Sequence, residues 1–173
     1  MAMTSLMSCW PRAGWVPDSA LGRFWGSSCP RIFFIAFALA VPVAALSVLL
    51  GWVIASAIPP QGESKLPDPA YMLIAVSLSP IVENWVVLRL GDVIPDRWAR
   101  GRWWIKPLLI AVPAGLFHVL VNWNLVSLTA IPTFFVIACL AINVRSRRCG
   151  YWASVILHAL VNALLLGLWW IAG

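Results

Sequence analysis

The chain has 173 residues, is 62% hydrophobic and only 10% charged, and carries a formal net charge of +6. A soluble domain usually carries about 25% charged residues, so a water-soluble monomer is excluded and an integral membrane protein is expected. The positive charge is read as topology, not as a nucleic-acid surface, because cytoplasmic loops of membrane proteins collect Lys and Arg.

Residues 1–30 are rich in Trp, Pro, Gly and Ser and contain Arg12 and Arg23. No apolar run of signal-peptide length precedes Arg31. This stretch is expected to be an irregular cytoplasmic tail, with Trp10, Trp15 and Trp25 in the headgroup layer. The remainder, 31–173, is expected to be the transmembrane bundle. A helix needs about 20 mostly apolar residues to cross the hydrocarbon. Five segments reach that length, at about 33–58, 71–90, 104–123, 125–144 and 151–171. Pro42, Pro80, Pro113 and Pro132 fall inside these spans and are expected to allow kinks.

The charges between the spans alternate. Arg12, Arg23 and Arg31 precede the first span, and the next link, "PPQGESKLPDP", holds Lys65 against Glu63 and Asp68. Arg97, Arg100, Arg102 and Lys106 follow the second span. The turn after the third has no charge, Arg145, Arg147 and Arg148 follow the fourth, and the C-terminus has none. This pattern predicts a cytoplasmic N-terminus, five crossings and an external C-terminus. Cys9, Cys29, Cys139 and Cys149 show no C-x-x-C spacing, and three of them lie in positively charged segments expected to face a reducing cytoplasm. They are expected to be unpaired.

Few strongly polar side chains lie deep in the spans. They are Glu83 and Asn84 on the second, His118 on the third, and His158 and Asn162 on the fifth, with Asn122 and Asn143 nearer to span ends. Arg89, near the cytoplasmic end of the second span, has the reach to snorkel to the headgroups. A charged group at bilayer depth costs at least about 2.5–3.5 kcal/mol on insertion scales and marks function by default. "HVLVN" (118–122) and "HALVN" (158–162) each place a His and an Asn on one helical face, about 6 Å apart. By distance from the cytoplasmic end, Glu83 and His158 lie at similar depth, and His118 about 6 Å deeper. Ser77 and Ser79 are read as hydroxyls that satisfy backbone. Glu83 and His118 are suited to deprotonate one water, and His158 with Asn162 to donate two hydrogen bonds to an oxyanion.

"SPIVENWVVLR" (79–89), "AGLFHVL" (114–120) and "LHALVNALL" (157–165) resemble, in order and spacing, the motifs of the CPBP family, the CAAX-protease and bacteriocin-processing intramembrane endopeptidases. The resemblance covers about 75–165. It implies that Glu83 and His118 activate water and that His158 and Asn162 form the oxyanion site. It also implies a glutamate mechanism without an obligatory metal, although two His and a carboxylate suit zinc. The implied substrate is a membrane-associated protein or peptide, with a C-terminal tail among the candidates, and the implied location is a bacterial inner membrane. The family's first motif has two adjacent glutamates and an arginine five residues after the first. This chain has Asn84 for the second glutamate, Leu88 at the arginine position, and Arg89 one residue later. Asn84, Arg89 and Asn122 are therefore assigned supporting roles. The competing expectations are a catalytically silent binding or immunity protein of the same fold, and a bundle holding haem between His118 and His158.

Overall fold

The computed structural model describes residues 28–57, 68–99 and 102–172. The expected N-terminal tail up to residue 27, and most of the link after the first span, lie outside the described residues. The described residues form helices α1 (Cys29–Ala57), α2 (Pro69–Val76), α3 (Leu78–Val93), α4 (Asp96–Ala99), α5 (Ile105–Asn122), α6 (Ala130–Asn143) and α7 (Arg147–Ala172), with a 3₁₀ turn at Leu125–Thr129. They contain no strand. Five stretches are long and apolar enough to cross a membrane: Cys29–Ala57, Pro69–Val93, Ile105–Asn122, Leu125–Asn143 and Arg147–Ile171. The protein is an all-α polytopic membrane bundle.

The second span is broken where its sequence demands it. Pro80 has no N–H for the carbonyl of Val76, and its ring crowds that carbonyl. The helix accordingly stops at Val76, passes through Ser77 and restarts at Leu78. Pro80 and Pro132 therefore fall in the first turns of α3 and α6, where no intrahelical donor is needed. Only Pro42 and Pro113 are helix-interior. Between α5 and α6 the chain reverses at Trp123, whose φ of 49° is unusual for a residue with a side chain. Asn124 then caps the 3₁₀ turn by accepting from the Val126 N–H at 2.9 Å.

Helix α6 is the centre, packed on α1, α3, α5 and α7, while α1 lies along α7. Its Phe134, Ile137, Ala138, Leu140 and Ala141 are buried. Small residues at such contacts let backbones approach without a void. Gly150 shows how close: a Cβ there would overlap the carbonyl oxygen of Leu140 and stand 3.0 Å from Val144 Cβ. Gly150→Ala is expected to lower stability by about 1–3 kcal/mol, the usual range for overpacking. Gly167→Ala, with nothing within 4 Å and a helical backbone, is expected to cost nothing and to add up to about 1 kcal/mol. Thermal unfolding of both variants in detergent checks this, and equal midpoints would contradict the packing.

One end of the bundle gathers the basic residues. Arg147 pairs with Asp92 and Lys106 with Asp96, joining α7 to α3 and α5 to α4. Asn143 Nδ2 donates to the Trp103 carbonyl at 3.3 Å. At the same end Cys29 and Cys149 form a disulfide, with Cα atoms 5.4 Å apart, which corrects the expectation that the cysteines are unpaired. That expectation weighed spacing and compartment, and it had no means of knowing that the starts of the first and last spans meet. A reducing cytoplasm at this end would hold the same pair as two adjacent thiols. Cys139 is buried and free.

Candidate active site

Helices α2, α3, α5, α6 and α7 surround a cavity of about 280 Å³. Tyr71, Ala75, Ser79 and Glu83 recur every four residues along the broken second span, which puts them on one face, and all four line it. His118 and Asn122 reach it from the last turns of α5, and His158 and Asn162 from the middle of α7. The 6 Å offset expected for His118 does not keep it from the cavity, since its Nε2 lies 3.8 Å from Glu83 Oε2.

The side chains meet at one carboxylate oxygen. Glu83 Oε2 is 3.8 Å from His118 Nε2 and 3.8 Å from His158 Nε2. It is buried and accepts no direct hydrogen bond from a described residue. The other oxygen, Oε1, accepts from the Ser79 hydroxyl. Ser79 therefore serves the carboxylate, not the backbone, unlike Ser77, whose Oγ donates to the Leu73 carbonyl at 2.6 Å. The spacing of four between Ser79 and Glu83 was the signal for this contact in the sequence.

The two imidazoles are held differently. His118 Nδ1 is 2.9 Å from the Ala114 carbonyl. A carbonyl only accepts, so Nδ1 carries the hydrogen and Nε2 presents a lone pair. Nε2 and Glu83 Oε2 are then two acceptors 3.8 Å apart, too far for a direct bond and within reach of one shared water. His158 is sealed, its side chain 5% exposed against 30% for His118. Its Nδ1 lies 3.2 Å from Asn84 Oδ1. Asn84 is fully buried, so its partner is His158 on α7. Phe134 packs against both rings, with centroids 5.1 Å from His118 and 5.5 Å from His158.

The remaining candidates separate. Asn162 lines the cavity and donates from Nδ2 to the Ala75 carbonyl at 2.7 Å, tying α7 to the turn opened by the helix break. Asn122 lines it too and donates to Ser127 Oγ at 3.0 Å. Arg89 is not among the lining residues; its guanidinium lies 5.4 Å from the centre of the Trp85 ring. Phe134 and Thr133 line the cavity from α6, a helix without a charged residue whose sequence did not single them out. Among the described residues, no group of three His, Cys, Asp or Glu side chains is placed to hold a metal ion. Ligands on a tetrahedral zinc at about 2.0–2.1 Å lie roughly 3.4 Å apart, closer than the 3.8 Å between Glu83 Oε2 and each imidazole.

The chain matches no protein-family model, no curated protein and no solved structure.

Proposed function

We propose that this chain is an intramembrane endopeptidase that hydrolyses a peptide bond of a membrane-associated protein or peptide, in a bacterial inner membrane. One observation carries the reading: Glu83 Oε2 stands 3.8 Å from the Nε2 atoms of two histidines on two other helices, in a cavity of mixed polar and apolar lining inside a membrane bundle. Isolated polar residues that merely bridge helices, worth about 0.6 kcal/mol on average, have no need to converge on a carboxylate.

In this reading a water donates hydrogen bonds to Glu83 Oε2 and to the His118 Nε2 lone pair. Its oxygen bonds to the scissile carbonyl carbon as Glu83 takes the proton. The carbonyl π electrons move to oxygen, and the oxyanion is held by His158 Nε2–H and an amide hydrogen of Asn162. As the tetrahedral species collapses, the C–N bond breaks and protonated Glu83 passes the proton to the leaving nitrogen. Ser79 steadies the carboxylate from its far oxygen.

For Nε2 of neutral His158 to donate, its Nδ1 must accept a hydrogen. The neighbour able to supply one is the Asn84 amide. The two ends of an amide have the same shape, and its partners decide which faces where. With Oδ1 toward His158, the Asn84 Nδ2 is buried without a partner. Turned by half a rotation, Nδ2 would donate to His158 Nδ1 and leave Nε2–H toward the Glu83 carboxylate, with Oδ1 then taking the buried place that Nδ2 leaves. Asn84 thereby sets the hydrogen position on His158.

A catalytically silent binding protein of this fold is favoured by one feature, the absence of a second glutamate and of Arg89 from the cavity. Haem is disfavoured by geometry. Axial ligands face each other across a flat ring, whereas both Nε2 atoms here converge on one carboxylate oxygen. Mapping new peptide termini in membranes of cells expressing the chain, against cells expressing Glu83→Ala, tests the reading. Termini unique to the unaltered chain are expected. Identical sets of termini would remove the peptidase and leave the silent binder.

A further inference from the structure

We infer that substrate reaches this site from the non-cytoplasmic side of the membrane, through a gap between α2 and the end of α5, and that it arrives as an uncharged internal segment of a chain. The nature of the substrate rests on the peptidase reading; the side of access does not.

The cavity is closed toward the basic end. Beyond Glu83 in that direction lie buried Asn84, Val87 and Leu88 on α3, with Ile137, Leu140 and Ala141 on α6 and Ser154 and Leu157 on α7. Tyr151 crosses this layer to donate to the Ile81 carbonyl at 3.0 Å. The disulfide and the Asp92–Arg147 pair tie the helix ends beneath it.

In the other direction the lining continues. From Glu83 it passes Ser79 and Ala75 to Tyr71, from His118 to Asn122, from Thr133 to Thr129 and Ser127, and from His158 past Asn162 to Leu165 and Leu166. Each step leads away from the basic end. Here the break at Ser77 matters. It lets α2 lean on α7, held by the Asn162–Ala75 bond, so that α2 packs chiefly on α7 and α3. We place the mouth between Pro69–Val76 and the last turns of α5, which line the cavity through Tyr71 and Ala75 on one side and His118 and Asn122 on the other.

Charge assigns the sides. Arg31, Arg102, Lys106, Arg145, Arg147 and Arg148 all sit at the closed end, whereas Asp68 is the only charged residue among the described residues at the open end. Basic ends face the cytoplasm, so the mouth faces away from it. The lining also selects. Among the described residues that form it, Glu83 is the only charged one at neutral imidazoles, and none is Lys or Arg. Nothing there would neutralise the carboxylate of a free C-terminus in a low-dielectric site. The hydroxyls of Tyr71 and Thr129 suit the amide groups of an extended backbone, beside those of Ser127 and Thr133, which already meet Asn122 and Ser47.

Ala75→Cys and Ser127→Cys, each made in the full chain, test the side of access with a membrane-impermeant maleimide. Arg145→Cys marks the closed end, and the unaltered chain gives the background from its own cysteines. Ala75→Cys and Ser127→Cys are expected to react in spheroplasts and to be spared in inverted vesicles, with Arg145→Cys showing the reverse. Reaction of the first two only in inverted vesicles, or in neither preparation, would overturn the inference. Repeating the labelling with Glu83→Gln present separates the two ideas. The pattern is expected to persist without catalysis, and a peptidase reading that fails leaves it intact.

Discussion

Glu83→Gln is expected to abolish peptide hydrolysis while the bundle stays folded and becomes no less stable. Gln has nearly the same shape, and its oxygen still accepts from Ser79, which lies one turn earlier on the same face. What it lacks is the ability to take a proton from water. A positioned general base contributes about 10²–10⁴ in rate, and a loss of that order is expected. Stability moves the other way, because a neutral amide avoids the insertion cost of about 2.5–3.5 kcal/mol for a charge at bilayer depth. A residue kept for packing gives the opposite pair of results. Turnover of a substrate found by terminus mapping, measured with matched amounts of both proteins in detergent, decides the first half, and thermal unfolding the second. A near-normal rate for Glu83→Gln would defeat the assignment of Glu83 as base.

The second large effect belongs to Asn84. The chain has only two histidines, so ¹⁵N labelling of imidazoles yields a spectrum with two ring systems. Opposite tautomers are expected: His118 with its hydrogen on Nδ1, set by the Ala114 carbonyl, and His158 with its hydrogen on Nε2, set by the Asn84 amide once its Nδ2 is turned to the Nδ1 that Oδ1 faces. Asn84→Leu preserves much of the buried volume but removes the amide, so His158 is expected to lose its single tautomer while His118 keeps its own. The rate is expected to fall by about 10²–10³, the usual consequence of losing one oxyanion donor. A packing role for Asn84 would leave the His158 tautomer unmoved by this substitution. If His158 in the unaltered protein already carries its hydrogen on Nδ1, it is not the oxyanion donor and the mechanism fails at that step.

The five spans were legible because hydropathy is local: each apolar run declares itself without knowledge of its neighbours. The polar residues were legible for a related reason. Glu83, His118, His158, Asn122 and Asn162 stand out against lipid-compatible surroundings, and the structure gathers all five at one cavity. Contacts that depend on how helices rotate against one another were not legible. Asn84 was expected only to support the site; that its 100° offset from Glu83 turns it toward His158 on the last helix was not readable from the sequence. Phe134 packs against both imidazoles from a helix whose sequence did not single it out. The break at Ser77 was half legible: Pro80 announced a disturbance, but a single continuous span hid that the helix would end and restart. The Cys29–Cys149 pairing spans 120 residues, a separation at which sequence carries no information about proximity.

That disulfide divides the protein in a way the fold alone does not. It closes a covalent ring from Cys29 to Cys149 that contains Glu83 and His118, and it leaves His158 and Asn162 on an open arm. A single backbone cut within the ring releases no fragment, since both pieces remain joined through sulfur. The last helix is likewise tethered beside the first at a fixed effective concentration, whatever the bundle between them is doing. Reduction at the basic end would move no group of the site. It would turn the meeting of the two halves of the site, ring and arm, from a local event into one governed by the packing of helices alone.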